Sequence, residues 1–141
     1  MSNIATYPVQ IAQPPNPATG SDWTYTFPDF GSAYASGNSQ LICVTASLAT
    51  SAVVANRTPR ILLQVGAGRV IFSAPLLPAQ TASLTFSYSW YPGAPASAAT
   101  GIVMTAPIPP GLIPGAGLTL STVTANIAAG DAWTNIVIAL G

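Results

Sequence analysis

Three arginines and three aspartates carry all the charge in this 141-residue chain, which has no His, Lys or Glu. That set excludes most side-chain chemistry. General acid–base work would fall to Asp22, Asp29, Asp131, the tyrosines or Cys43. Ser-His-Asp and Cys-His centres need an imidazole, and zinc needs several Cys or His where this chain has one such residue. Calcium takes a cluster of oxygen ligands, whereas Asp22 and Asp29 stand apart across an aromatic run with no Asp-x-Asp loop. The residue types therefore predict a non-enzyme without metal or cofactor.

All the cations fall between Asn56 and Ala74: Arg57, Arg60 and Arg69. Within that stretch the apolar runs Ile61–Val65 and Val70–Phe72 flank Gly66-Ala67-Gly68, which predicts a β-hairpin. The glycines do not make a dinucleotide fingerprint, since a third glycine and a following helix are missing. Arg57 and Arg60, either side of Thr58-Pro59, have two readings. They hold aspartates of a partner through forked hydrogen bonds, or they are solvated strand-end residues. Three arginines balanced by three aspartates give no basic stripe, so no nucleic-acid partner is expected.

Charged residues make up 4% of the chain and net charge is zero, against roughly a quarter charged in typical soluble domains. A surface so poor in charge is either covered by partners or coated with Ser, Thr, Asn and Gln. Mean hydropathy is +0.50, and Gly101–Leu118 has nearly the length of a membrane helix. It also holds Pro107, Pro109, Pro110 and Pro114, which break helical hydrogen bonds, so no membrane partner is predicted. Met1-Ser2-Asn3-Ile4 shows no basic and apolar leader pattern, and no export signal is expected. The single Cys43, in Leu41-Ile42-Cys43-Val44, reads as a small core residue.

The elements that must position these groups are strands. Ser83–Trp90 places Leu84, Phe86, Tyr88 and Trp90 on one face and hydroxyls on the other. Trp23–Phe27, Gln40–Ala49, Arg60–Val65, Arg69–Ala74, Gly101–Ala106, Leu118–Asn126 and Ala132–Leu140 complete a set of about eight strands with no helix. Turn signals about every ten residues predict an all-β, antiparallel two-sheet sandwich, a jelly roll, over residues 21–141. Its core is expected to set Leu84, Phe86 and Tyr88 against Ile136, Ile138 and Leu140. Residues 1–20 carry Pro8, Pro14, Pro15 and Pro17 and predict an extended arm outside that core. Ile4, Tyr7, Val9 and Ile11 are then partner-binding residues seated on another subunit.

Four segments carry a resemblance to a known group: Ala55-Asn56-Arg57-Thr58-Pro59-Arg60, Pro78-Ala79-Gln80-Thr81-Ala82-Ser83, Ser89-Trp90-Tyr91-Pro92-Gly93, and Val123 through Ile136. Together they resemble small virion structural proteins of tailed bacteriophages, over roughly residues 40–140. The resemblance implies a β-sandwich that adds to the outside of the phage head as a capsid decoration or cement protein, often as a homotrimer. Its implied partners are the major capsid protein and copies of itself. Its implied place is the virion, after synthesis in the host cytoplasm. The chain departs from the group's pattern in its scarcity of charge and its proline-rich arm. A head–tail connector or tail component is the alternative within the virion. Outside that group, Trp90-Tyr91 with Trp23 and Tyr25 leaves a carbohydrate-binding module open, which requires coplanar exposed rings.

Overall fold

Alternating apolar and hydroxylated residues separate onto two faces only in extended backbone, and the chain folds accordingly. The computed structural model describes residues 10–28, 40–65 and 68–141. It contains β1 (Gln10–Ala12), β2 (Thr24–Thr26), β3 (Leu41–Ala49), β4 (Thr58–Val65), β5 (Arg69–Ser73), β6 (Thr85–Pro92), β7 (Val103–Ile108), β8 (Leu118–Ala125) and β9 (Ala132–Leu140). There is no helix among the described residues, hence none long and apolar enough to cross a membrane.

One sheet has five strands in the order β1-β9-β3-β6-β7, and the other four in the order β2-β8-β4-β5. Antiparallel pairs β1·β9, β2·β8, β3·β6 and β4·β5 are nested within one another along the chain. The exception to the antiparallel expectation is β7, which lies parallel to β6. Residues 93–102 carry the chain back to the starting end before β7 begins, and Gly93 opens that return at φ 76°. Gly68 leaves the β4–β5 link at φ 119°, as the hairpin requires, while Gly66 and Ala67 lie outside the described residues.

Both sheets feed one buried cluster in a sandwich-like arrangement. Ile61, Leu63 and Leu120 enter it from the four-stranded sheet, with Trp23 and Phe27 at the ends of β2. Val44, Leu48, Phe86, Tyr88, Trp90, Met104, Ile136, Ile138 and Leu140 enter it from the other. Tyr88 stacks on Trp90 at 5.6 Å and reaches Trp133 at 5.8 Å, past the small Ala46 between their strands. The register of β3 against β9 shifts between Thr45 and Ser47, opposite Asn135 at φ 52°. This bulge turns Trp133 inward together with Ile136 and Ile138, although their parities differ.

Two expectations are corrected. Leu84 does not join the core and is 37% exposed. Ser83 takes φ 58° and the strand starts only at Thr85. The backbone of Leu84 is instead fixed by Thr50, whose hydroxyl accepts from Leu84 N at 3.0 Å, and by Gln80, which donates to Leu84 O at 3.0 Å. Part of the expected arm also belongs to this chain's own sheet: Gln10, Ile11 and Ala12 pair with Leu140, Ala139 and Ile138, and Ala12 packs on the core. Unpaired backbone at the β9 edge accepts an edge strand from the same chain, ahead of the proline run. Ile4, Tyr7 and Val9 lie outside the described residues.

Candidate functional site

The charged residues are the natural place to seek a site, and the fold uses three of the five described ones internally: Arg57, Asp131 and Asp22. Arg57 stands just before β4, where its backbone exchanges hydrogen bonds with Gln80 at 2.9 and 2.8 Å. Asp131 stands just before β9. The two side chains are fully buried and meet as a fork, Nε to Oδ2 at 2.8 Å and Nη2 to Oδ1 at 2.9 Å. Arg57 Nη1 donates to Val53 O and Ala55 O, and Nη2 also reaches Ser51 Oγ at 3.4 Å. All five guanidinium hydrogens are therefore engaged. Asp131 further accepts from the amides of Ser51 and Ala128 at 2.8 Å. Burial alone would raise its pKa, but the Arg57 guanidinium and the two amides outweigh it and hold the carboxyl at about 2.

The pair clamps the β3–β4 loop to the β8–β9 turn and leaves no atom for a substrate or a partner. This corrects both readings of Arg57, which neither meets another subunit nor stands in water. A buried guanidinium must find its acid within the fold, because an unpaired one is prohibitively costly. Arg60 is half-buried on the outer side of β4, and Arg69 is exposed on β5. Among the described residues Arg57–Asp131 is the only ion pair.

Other polar groups are tied in the same way. Asp22 accepts from Thr124 N at 2.9 Å, from Thr124 Oγ1, and from Trp133 Nε1 at 3.2 Å, joining the two sheets. Gln80, also buried, donates to Leu48 O at 2.8 Å and accepts from Tyr88 Oη at 2.9 Å. Burial pushes the Tyr88 phenol well above its ordinary pKa. Cys43 pairs with Ala139 on the outer face, not in the core as expected, and partial burial pushes its thiol up, away from the nucleophilic form. Trp23 and Trp90 are core residues, so of the proposed sugar platform only Tyr91 is substantially exposed. No group of three metal-ligating side chains occurs among the described residues.

What remains is surface, and one part of it has a distinct character. On the outer face of the five-stranded sheet the register aligns Val137, Thr45, Ser89 and Thr105 in one row. Thr134, Ser47, Ser87 and Val103 form the next. Ile11, Ala139 and Cys43 extend it toward the β1 edge, and Tyr91 with Pro107 toward β7. None of the charged residues described lies on this face. Ser47 Oγ and Ser87 Oγ are 3.5 Å apart, close enough to share a hydrogen. Ile11 and Val103, at opposite margins, are each 63% exposed. No single residue type announces this face; it follows from reading the outward positions of five strands together once their register is known.

The sheet edges, by contrast, are blunted. β1 and β2 have three residues each. β5 carries Arg69 and a register shift against β4. On β7, Thr105 exchanges hydrogen bonds with Ser97 at 2.9 and 3.0 Å, and Pro107 has no amide hydrogen to offer. Each device discourages edge pairing with another chain. A cleft of about 220 Å³ opens between the β1 and β2 edges, lined by Gln10, Ile11, Ala12, Tyr25 and Leu140. Comparison of the chain with family models, curated proteins and solved structures returns no match.

Proposed function

We propose that this chain is a non-enzymatic structural protein of a phage virion, a capsid decoration protein that binds the assembled head and steadies contacts between capsomers. Support comes first from the uncharged outer face of the five-stranded sheet, on a molecule whose one described ion pair is spent inside the fold. Such a face binds by excluding water from apolar and hydroxyl groups, at roughly 25 cal/mol per Å² of apolar area. Multiplied over symmetry-related copies, modest contacts of that kind hold a shell against pressure from within. The nested pairing of first strand with last, second with next to last, and so inward, supports the jelly-roll reading once β7 is set aside. That architecture recurs in viral capsid and lectin domains, an analogy of fold alone. Partners are the major capsid protein and further copies of this chain.

The test is cosedimentation of the purified chain with phage heads that lack it. The expected result is stoichiometric binding that survives about 1 M salt, where exposed charge pairs are screened, and is reversed by chaotrope. Failure to sediment with any head, or release by simple sugars, overturns the proposal.

A further inference from the structure

We infer that the outer face of the five-stranded sheet is a self-association surface, pairing with the same face of a second copy about a two-fold axis. The inference concerns the free protein and does not rest on the virion reading. A desolvated charge opposite an uncharged surface loses its water without gaining a partner, so the face selects a partner free of charge. Its own copy meets that condition. Hydroxyls both donate and accept, so a face built around Thr45, Ser47, Ser87 and Ser89 complements itself, where identical charged faces would repel. Ser47 and Ser87 already approach to 3.5 Å within one chain. Small side chains allow the two sheets to approach closely, and apolar Ile11 and Val103 lie at the margins.

The area suffices. At about 3.3 Å per residue and about 4.8 Å between strands, the five strands present about 550 Å². Two such faces remove about 1,100 Å² from water, just above the ~1,000 Å² that marks a specific contact. The alternative route to self-association, edge to edge, is obstructed at all four edge strands.

Sedimentation equilibrium on the full chain tests this. The wild-type protein is expected at twice the 14.3 kDa chain mass, in reversible equilibrium with monomer. Ser87→Arg sets like charges against each other near the centre of the contact and is expected to weaken the dimer about 100-fold or more. Thr24→Arg, exposed on the other sheet, is expected to leave it unchanged. Circular dichroism establishes that each variant is folded, and Thr85→Arg on the same face replaces Ser87→Arg if that variant is not. A wild-type monomer at millimolar concentration, a trimer, or a dimer indifferent to arginine on this face overturns the inference. Head and second copy would compete for this one face, so a wild-type dimer beside a chain that, even diluted to monomer, sediments with no head would overturn the virion reading alone.

Discussion

Arg57 and Asp131, 74 positions apart in the sequence, form a two-pronged ion pair with every polar hydrogen of the guanidinium engaged. It joins the entry to β4 with the entry to β9, one strand from each sheet. Asp131→Asn keeps the shape but strands a buried cation, and is expected to cost about 3–5 kcal/mol, the range for breaking a buried pair. Replacing both residues together by apolar ones is expected to cost less than the sum of the single changes. Denaturant melts of the two singles and the double measure that difference.

The same pair sets an acid limit. Asp131 is held at about 2 in the fold against 3.8 for a free carboxyl. A depressed folded pKa contributes stability that is complete above about 4 and is lost as pH falls toward about 2, amounting to about 2 kcal/mol. Melting temperature is therefore expected to be level from neutrality to about pH 5 and to fall steeply below about pH 4. In the Asp131→Asn variant that acid slope is expected to be much shallower.

Phe86 and Leu84 test the strand alternation from opposite sides. Phe86→Ala removes a buried aromatic and is expected to cost about 3–5 kcal/mol. Leu84→Ala, at a partly exposed turn position, is expected to cost below about 1 kcal/mol. Equal losses would mean that Leu84 packs as the period-2 pattern alone implies.

This contrast shows how far the sequence was legible. The alternation of Phe86, Tyr88 and Trp90, and of Ile136, Ile138 and Leu140, identified the strands and their inward faces, because period 2 is a local property. Leu84 was misread because the pattern does not record where a turn at Ser83 cuts the strand. Trp133 escaped because the Asn135 bulge shifts parity within β9. Arg57–Asp131 depends on a contact between distant segments, yet a clue was available: with so few charges, a cation beside a predicted strand needs an anion near another. The outer face was legible only as composition, a shortage of charge, until register placed its hydroxyls side by side.

Gly130 and Gly93 separate two costs of adding a side chain. Both hold positive φ, 86° and 76°. A Cβ at Gly93 meets nothing within 4 Å, so Gly93→Ala carries only the backbone strain, about 1 kcal/mol. At Gly130 the added carbon lies 3.1 Å from Ser51 Cβ, beside the amide that holds Asp131. Gly130→Ala is expected to cost more than Gly93→Ala at about pH 7 and to make the acid slope shallower, because shifting Ser51 loosens a hydrogen bond to the carboxylate and lets its folded pKa rise toward the free value. Thermal melts of both variants at about pH 7 and about pH 3 compare the two.

Deleting residues 2–15 tests whether the N-terminal segment is part of the fold. An arm that serves only another subunit could be removed without loss of stability. Here the deletion strips β1 from β9, uncovers the backbone of Ile138, Ala139 and Leu140, and removes Ala12 from the core margin. Lost ladder hydrogen bonds contribute about 1 kcal/mol each, and the newly bared β9 lacks the devices that blunt the natural edges. The truncated protein is expected to melt about 5 °C or more below the full chain, given the few degrees that each kcal/mol moves a domain of this size. It is also expected to aggregate at concentrations where the full chain remains soluble. An unchanged melting temperature would show that β9 holds its place without β1 and that residues 10–12 contribute little to the sheet.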